Sequence, residues 1–214
     1  NWDHCDHHSE SVRTVRLDGF CLGKFEVTQG QWKIIMDNNP SKYKNGNDYP
    51  VERVSWDDVQ EFIGRLNRQS SVKFRLPSEA QWEYACRAAG DLVKFGTDTG
   101  RLTRRNANYG KKVCCLGDDS DGYDKTSPTG IFPPNALGLH DMAGNVLEWV
   151  QDRYAWSYAK LGDHNPIHKG RGNSRVRRGG SWVGGPPTVR CSVRGQTTQT
   201  RRSANLGFRL VRMR

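Results

Sequence analysis

From Lys169 to Arg214 the chain has no Asp or Glu against twelve Lys or Arg, whereas the residues before it are nearly charge-balanced. The formal excess of +10 therefore sits in the C-terminal fifth, where a basic surface would attract an anionic ligand or an acidic protein face. Those arginines alternate with Gly, Ser and Val, and no nucleic-acid-binding module is recognisable, which argues against a nucleic-acid partner. No run approaches the roughly 20 apolar residues that would span a bilayer. No apolar leader stands at the start, and the first residue is Asn1 rather than methionine, so an upstream segment, either cleaved or outside this sequence, is expected, which is compatible with export. CxxC pairs are absent, which removes the usual zinc spacing. The one His/Cys cluster is His4, Cys5, His7 and His8, either a zinc or copper site or a solvated terminal strand. Mean hydropathy is low at −0.82, yet Trp, Tyr and Phe occur seven times each. That balance describes a globular chain with an aromatic core rather than a disordered one. Its 214 residues suit one domain over 1–214, with 1–16 as an extension or partial first strand.

Three helices are announced by their caps. Thr28 with Gln31 forms a capping box ahead of Trp32, Ile35 and Met36. Ser55 with Asp58 precedes Val59, Phe62, Ile63 and Leu66 at i, i+3, i+4, i+7. Ser78 caps the third, which has Glu79 in its first turn, Gln81 at the third position, and Trp82, Ala85, Cys86 and Ala89 on one stripe. Gly90 is its expected stop. From Asp91 to Asn135 lies a long segment rich in Gly, Asp, Asn and Thr, too long for an ordinary connection, so something other than a core must order it. Strand-like runs follow in "NVLEWVQD", "RVRRGGSWV", "TVRCSVRG" and "LGFRLVR", each bounded by Gly, Pro or Asn. Two or three helices on small antiparallel sheets, with much irregular loop, make an α+β fold.

"FEVTQGQW", "YPVERVSWDDVQEF", "RLPSEAQWEYACRAA", "GLHDMAGNVLEWVQD", "RRGGSW" and "NLGFRLVR" stand here in this order. In order and spacing they resemble the motifs of the formylglycine-generating enzyme (sulfatase-modifying factor) family, and the match runs from about Leu17 to Arg214. The resemblance implies a variant of the C-type lectin fold, but one fold hosts many activities, so function has to be argued at the site. It also implies two structural calcium sites, in keeping with the oxygen ligands that calcium takes. The first would use the side chains of Asp141 and Glu148 with the carbonyls of Gly144 and Val146. The second would use the side chains of Asn108 and Asp121 with the carbonyls of Tyr109 and Tyr123. The bland alternative at both is that the acids only cap turns.

The resemblance further implies a disulfide between Cys86 and Cys191, and so an oxidising compartment, periplasmic or extracellular. A second familial disulfide lacks both its partners here. Cys5 and Cys21 flank an extended segment and are a further candidate pair. The adjacent Cys114 and Cys115 are open to a vicinal disulfide, a link to another chain, or free thiols. The enzymes of this family oxidise a substrate cysteine with a copper ion held by two thiolates, soft ligands suited to Cu(I). The matching interval here, Val183 to Arg190, contains no thiol, histidine or carboxylate; its Gly and Pro pairs shape backbone but cannot hold copper. The expectation is a non-catalytic, calcium-stabilised binding or assembly module without copper. It would present a basic C-terminal face, with Trp182, Pro186, Pro187, Arg178, Arg190 and Arg194 around a groove, to a protein or anionic partner. Two other branches of the fold remain as alternatives: an exported tailoring or maturation oxidoreductase resembling pyoverdine-maturation homologues, and a ligand-binding variable receptor. Trp82, Trp149 and Trp182 could form a stacking platform, though such aromatics are more often core.

Overall fold

A computed structural model describes residues 13–110, 120–158 and 161–213. The helices form where the caps place them. α1 spans Gln29–Met36, α2 Trp56–Gln69 and α3 Glu79–Cys86, each opened by a reciprocal capping box (Thr28/Gln31, Ser55/Asp58, Ser78/Gln81) that satisfies two otherwise orphaned amides. α3 stops a turn earlier than its apolar stripe predicts. Ala88 and Ala89 take φ of 50° and 77°, and the Asn135 side chain donates to the Ala85 carbonyl at 2.8 Å. An external donor thus ends the helix before Gly90 can.

Among the described residues seven short strands make two sheets: β1 Cys21–Leu22, β2 Phe74–Arg75, β3 Leu147–Arg153, β4 Ser174–Arg178, β5 Gly195–Thr198, β6 Leu206–Phe208 and β7 Val211–Arg212. β1-β7-β2 is antiparallel, and the larger sheet has the order β5-β4-β3-β6. It is mixed rather than antiparallel throughout, because β3 pairs in parallel with β6 through Leu147↔Leu206 and Trp149↔Phe208. "LGFRLVR" is divided between the sheets, β6 in one and β7 in the other, with Arg209 between them. "TVRCSVRG" is not a strand. The chain there makes a 3-10 turn over Pro186–Thr188 and a turn closed from Val193 N–H to Arg190 O, and Cys191 N–H donates to Lys94 O. Pairing resumes only at Gly195, in a "GQTT" run that lacks the apolar alternation of a recognisable strand.

Trp32 stacks on Phe62 at 5.1 Å with 7° between planes, and Phe208 meets both edge-on at 6.1 and 5.5 Å. Around this trio α1, α2, β3 and β6 bury the first core cluster. The second lies between α3 and the larger sheet, around Trp82, Met142, Val150 and Val176, and includes Cys86 and Cys191. These two cysteines form a disulfide across 105 residues, with Cα atoms 5.6 Å apart. Trp82 and Trp149 are fully buried, and their indole N–H groups donate to Glu148 Oε2 at 2.7 Å and Val54 O at 3.0 Å, as buried tryptophans require. A third, small cluster of Ala107, Tyr109, Ala143 and Val189 supports the long loop. Among the described residues no helix is long and apolar enough to cross a membrane.

Candidate functional site

The glycine-proline interval folds onto itself. Thr188 returns both its N–H (2.9 Å) and its hydroxyl (2.8 Å) to Gly185 O, and Arg190 Nε donates to Pro187 O at 3.0 Å. Gly110 docks against it, donating to Gly184 O at 2.8 Å. A Cβ at Gly110 would lie 2.2 Å from Val183 O, so only glycine allows this approach. The place where a thiolate pair would be needed is thus a closed backbone turn with the long loop laid on it.

Beside the turn, the Trp182 ring is half-exposed and fixed by Nε1 donating to Ala204 O at 3.3 Å. Tyr43 meets it edge-on at 5.7 Å. Lys125 Nζ lies 4.7 Å above Trp182 and 6.0 Å from Tyr43, and Lys42 Nζ lies 5.4 Å from Tyr43. Both lysines are exposed, which leaves two ammonium groups on an aromatic shelf. Pro186 and Pro187, in the neighbouring 3-10 turn, are half-buried. Sequence reasoning missed Lys42, Tyr43 and Lys125, because they come from two loops with no periodicity to link them to Trp182.

Arg178 and Arg194 do not line this groove. Arg194 holds Glu79 bidentately, Nε to Oε1 at 3.0 Å and Nη2 to Oε2 at 2.8 Å. Arg178 pairs with Glu83 and donates to the carbonyls of Cys191 and Ser192 at 2.8 and 3.0 Å. With Arg175, Arg190 and Arg209 they are buried. Much of the C-terminal positive charge therefore serves the interior, since a guanidinium has enough donors to satisfy carboxylates and loop carbonyls together.

At the first calcium locus three buried carboxylates, Glu26, Asp141 and Glu148, share one buried guanidinium, that of Arg209. Glu148 accepts Arg209 Nε and Nη2, both at 2.7 Å, and Trp82 Nε1. Asp141, at φ 57°, accepts Gly130 N–H at 2.7 Å. Glu26, absent from the sequence expectation, accepts Asn145 Nδ2 at 2.7 Å and Val146 N–H at 3.1 Å. Burial, with the Asp141 and Glu148 carboxylates, pushes the Glu26 carboxyl well above its ordinary value. Burial pushes Asp141 up to about 6, against the pull of the Gly130 amide and Arg209. One cation for three acids leaves a deficit that a divalent ion could offset. Among the described residues no three His, Cys, Asp or Glu converge as a ready ligand set. A calcium here would therefore lean on the Gly144 and Val146 carbonyls beside Asp141 and Glu148.

The second locus is organised differently. Arg104 Nη1 donates to Tyr109 O and lies 3.4 Å from Asp121 Oδ2, while Nη2 donates to Gly110 O at 2.9 Å. Tyr123 N–H donates to Asp121 Oδ1 at 3.0 Å, and Asn108 Nδ2 to Lys125 O at 2.8 Å. Cys5, Cys114, Cys115, His4, His7 and His8 lie outside the described residues, so the expected Cys5–Cys21 pair does too; Cys21 is exposed.

Away from both loci, a cavity of about 500 Å³ opens between α3 and Tyr158, Leu161 and Pro166, lined also by Arg13, Glu79, Asp152 and Arg194 among others. Burial and the Glu79 carboxylate push the Asp152 carboxyl up to about 7. Its two oxygens nonetheless serve as a brace, accepting Glu79 N–H and His168 N–H, both at 2.8 Å.

The family model of the sulfatase-modifying factor enzyme 1-like domain matches residues 3–214. The chain is 33% identical over 167 residues to the formylglycine-generating enzyme of Mus musculus, covering 75% of this chain but only 43% of that protein. It is 28% identical over 246 aligned positions to chaperone protein LppX of Paenibacillus barcinonensis, covering 95% of this chain and 84% of that protein. Among solved structures, Treponema denticola variable protein 1 superposes with a TM-score of 0.84 at 28% identity, over 97% of this chain and 89% of that one. PvdO from Pseudomonas aeruginosa does so with 0.77 at 28% identity, over 91% and 80%.

Proposed function

We propose, from the premise that the chain belongs to the sulfatase-modifying factor enzyme 1-like domain family, that it is a non-catalytic, calcium-stabilised, exported binding module. It presents the Trp182–Tyr43–Lys125–Lys42 shelf to a protein or anionic partner. The observation that carries this reading is the Val183–Arg190 turn. It offers no thiol, histidine or carboxylate, and Gly110 is docked on it beside an exposed cationic-aromatic surface. Export rests on the Cys86–Cys191 disulfide, a bond that persists in oxidising compartments. Calcium would be held by Asp141, Gly144, Val146 and Glu148, supplying two charges to an acid-rich interior. Likeness to a chaperone protein and to a variable protein favours a role in contact with other molecules.

The experiment is a charge-matched comparison on immobilised heparin, a sulfated probe. Lys42→Ala/Lys125→Ala should elute at clearly lower salt than Lys33→Ala/Lys169→Ala, which loses the same charge elsewhere on the surface. Equal elution would mean that net charge alone binds the probe and would remove the shelf from the account.

A second reading, an exported tailoring or maturation enzyme, is favoured by one observation, the cavity that holds Asp152 near neutrality, and by likeness to PvdO. Both oxygens of that acid serve backbone amides, which favours the binding reading.

A further inference from the structure

We infer that Arg104 is the cation of the long loop: its guanidinium takes the place assigned to calcium between Tyr109 and Asp121, so that of the two expected calcium loci only the one at Asp141 is left among the described residues. Two of the four expected ligand atoms, Tyr109 O and Asp121 Oδ2, face Arg104 Nη1. Gly110 O receives Nη2, and Cζ lies 3.8 Å from the centre of the Tyr109 ring. The Asp121 side chain is fully buried and that of Arg104 is 10% exposed. Asp121 Oδ1 is engaged by Tyr123 N–H, and the Asn108 side chain donates its amide nitrogen to Lys125 O, while the backbone carbonyl of Asn108 accepts Asn145 N–H. Calcium needs six to eight oxygens at about 2.3–2.6 Å, whereas a guanidinium needs only acceptors in its plane and can rest on an aromatic face. The atoms present suit the second requirement and not the first.

The replacement bears on the shelf. The Arg104 brace fixes Tyr109 and Gly110, Gly110 donates to Gly184 O, and Asn108 holds the backbone of Lys125. Arg104 is thus a positioning residue: it sets the loop that carries Lys125 over Trp182 with a charge built into the chain, independent of ambient calcium.

The test counts calcium per chain after equilibration and chelator washing, and measures Tm in EGTA. Asp121→Asn should hold the same calcium as the unsubstituted protein, Asp141→Asn should hold none, and Arg104→Ala should lower Tm in EGTA by at least about 5 °C, as loss of a buried cation requires. A calcium ion lost in Asp121→Asn, or one retained in Asp141→Asn, overturns the inference; the two variants report independently should one fail to fold. The inference rests on the calcium reading only for the Asp141 locus. An unsubstituted protein free of calcium would sink that reading and leave the assignment of Arg104 standing.

Discussion

Arg209 and Glu148 face each other through two hydrogen bonds of 2.7 Å, both side chains wholly shielded from solvent. Arg209 lies between β6 and β7, and Glu148 in β3, so the pair fixes where the chain passes from one sheet to the other. Its remaining donors reach His140 O at 2.9 Å and Gly23 O at 3.2 Å. One guanidinium thus binds the N-terminal segment, the loop before β3 and β3 itself.

Removing only one partner of a buried pair strands the other's charge. Arg209→Met is therefore expected to destabilise by about 3–5 kcal/mol. Arg209→Met/Glu148→Gln should cost less than the two single changes together, because the neutral amide no longer leaves a buried charge. A urea denaturation cycle reads this coupling, and additive costs would show that the pair does not act as a unit.

The Asp141 carboxyl, raised to about 6 in the fold from an ordinary value near 3.9, binds its proton more tightly in the folded state. Its contribution is fully present below the unfolded value and is lost as pH rises towards 6. In EGTA the unsubstituted protein should lose part of its stability over that window, by a few kcal/mol at most. Asp141→Asn should flatten this component of the profile. Calcium, by replacing the proton, should flatten it in the unsubstituted protein too. An identical pH profile for Tm in the two proteins would contradict the placement of this acid.

The Cys86–Cys191 disulfide closes 105 residues, a span worth about 4–5 kcal/mol in the chain-entropy model. Cys86→Ala/Cys191→Ala should be destabilised by roughly that amount. Peptide mapping without reductant should recover the two cysteines linked; two free thiols would remove the ground for an exported protein.

The helices were legible because each start is a local chemical signal, a hydroxyl three residues before Asp or Gln, and the structure keeps all three boxes. The end of α3 was not, since the donor that closes it comes from Asn135, far along the chain. The motif order carried the family and the disulfide. The fate of the arginines was hidden for a different reason: Arg178, Arg194 and Arg209 read as surface charge because their partners Glu79, Glu83 and Glu148 lie on other elements. For the same reason Lys42, Tyr43 and Lys125 could not be joined to Trp182, and nothing local in the sequence singles out Arg104. Tertiary pairing, not local propensity, decides where a charge on this chain ends up.

The central claim is that an organised shelf, and not general positive charge, meets the partner. Trp182→Ala leaves net charge unchanged, so the most direct measurement is its affinity for a defined sulfated oligosaccharide by calorimetry at two salt concentrations. The shelf predicts an affinity several-fold below that of the unsubstituted protein, with the salt dependence preserved, because the aromatic floor is lost while the lysines remain. Equal affinities at both salt concentrations would contradict it.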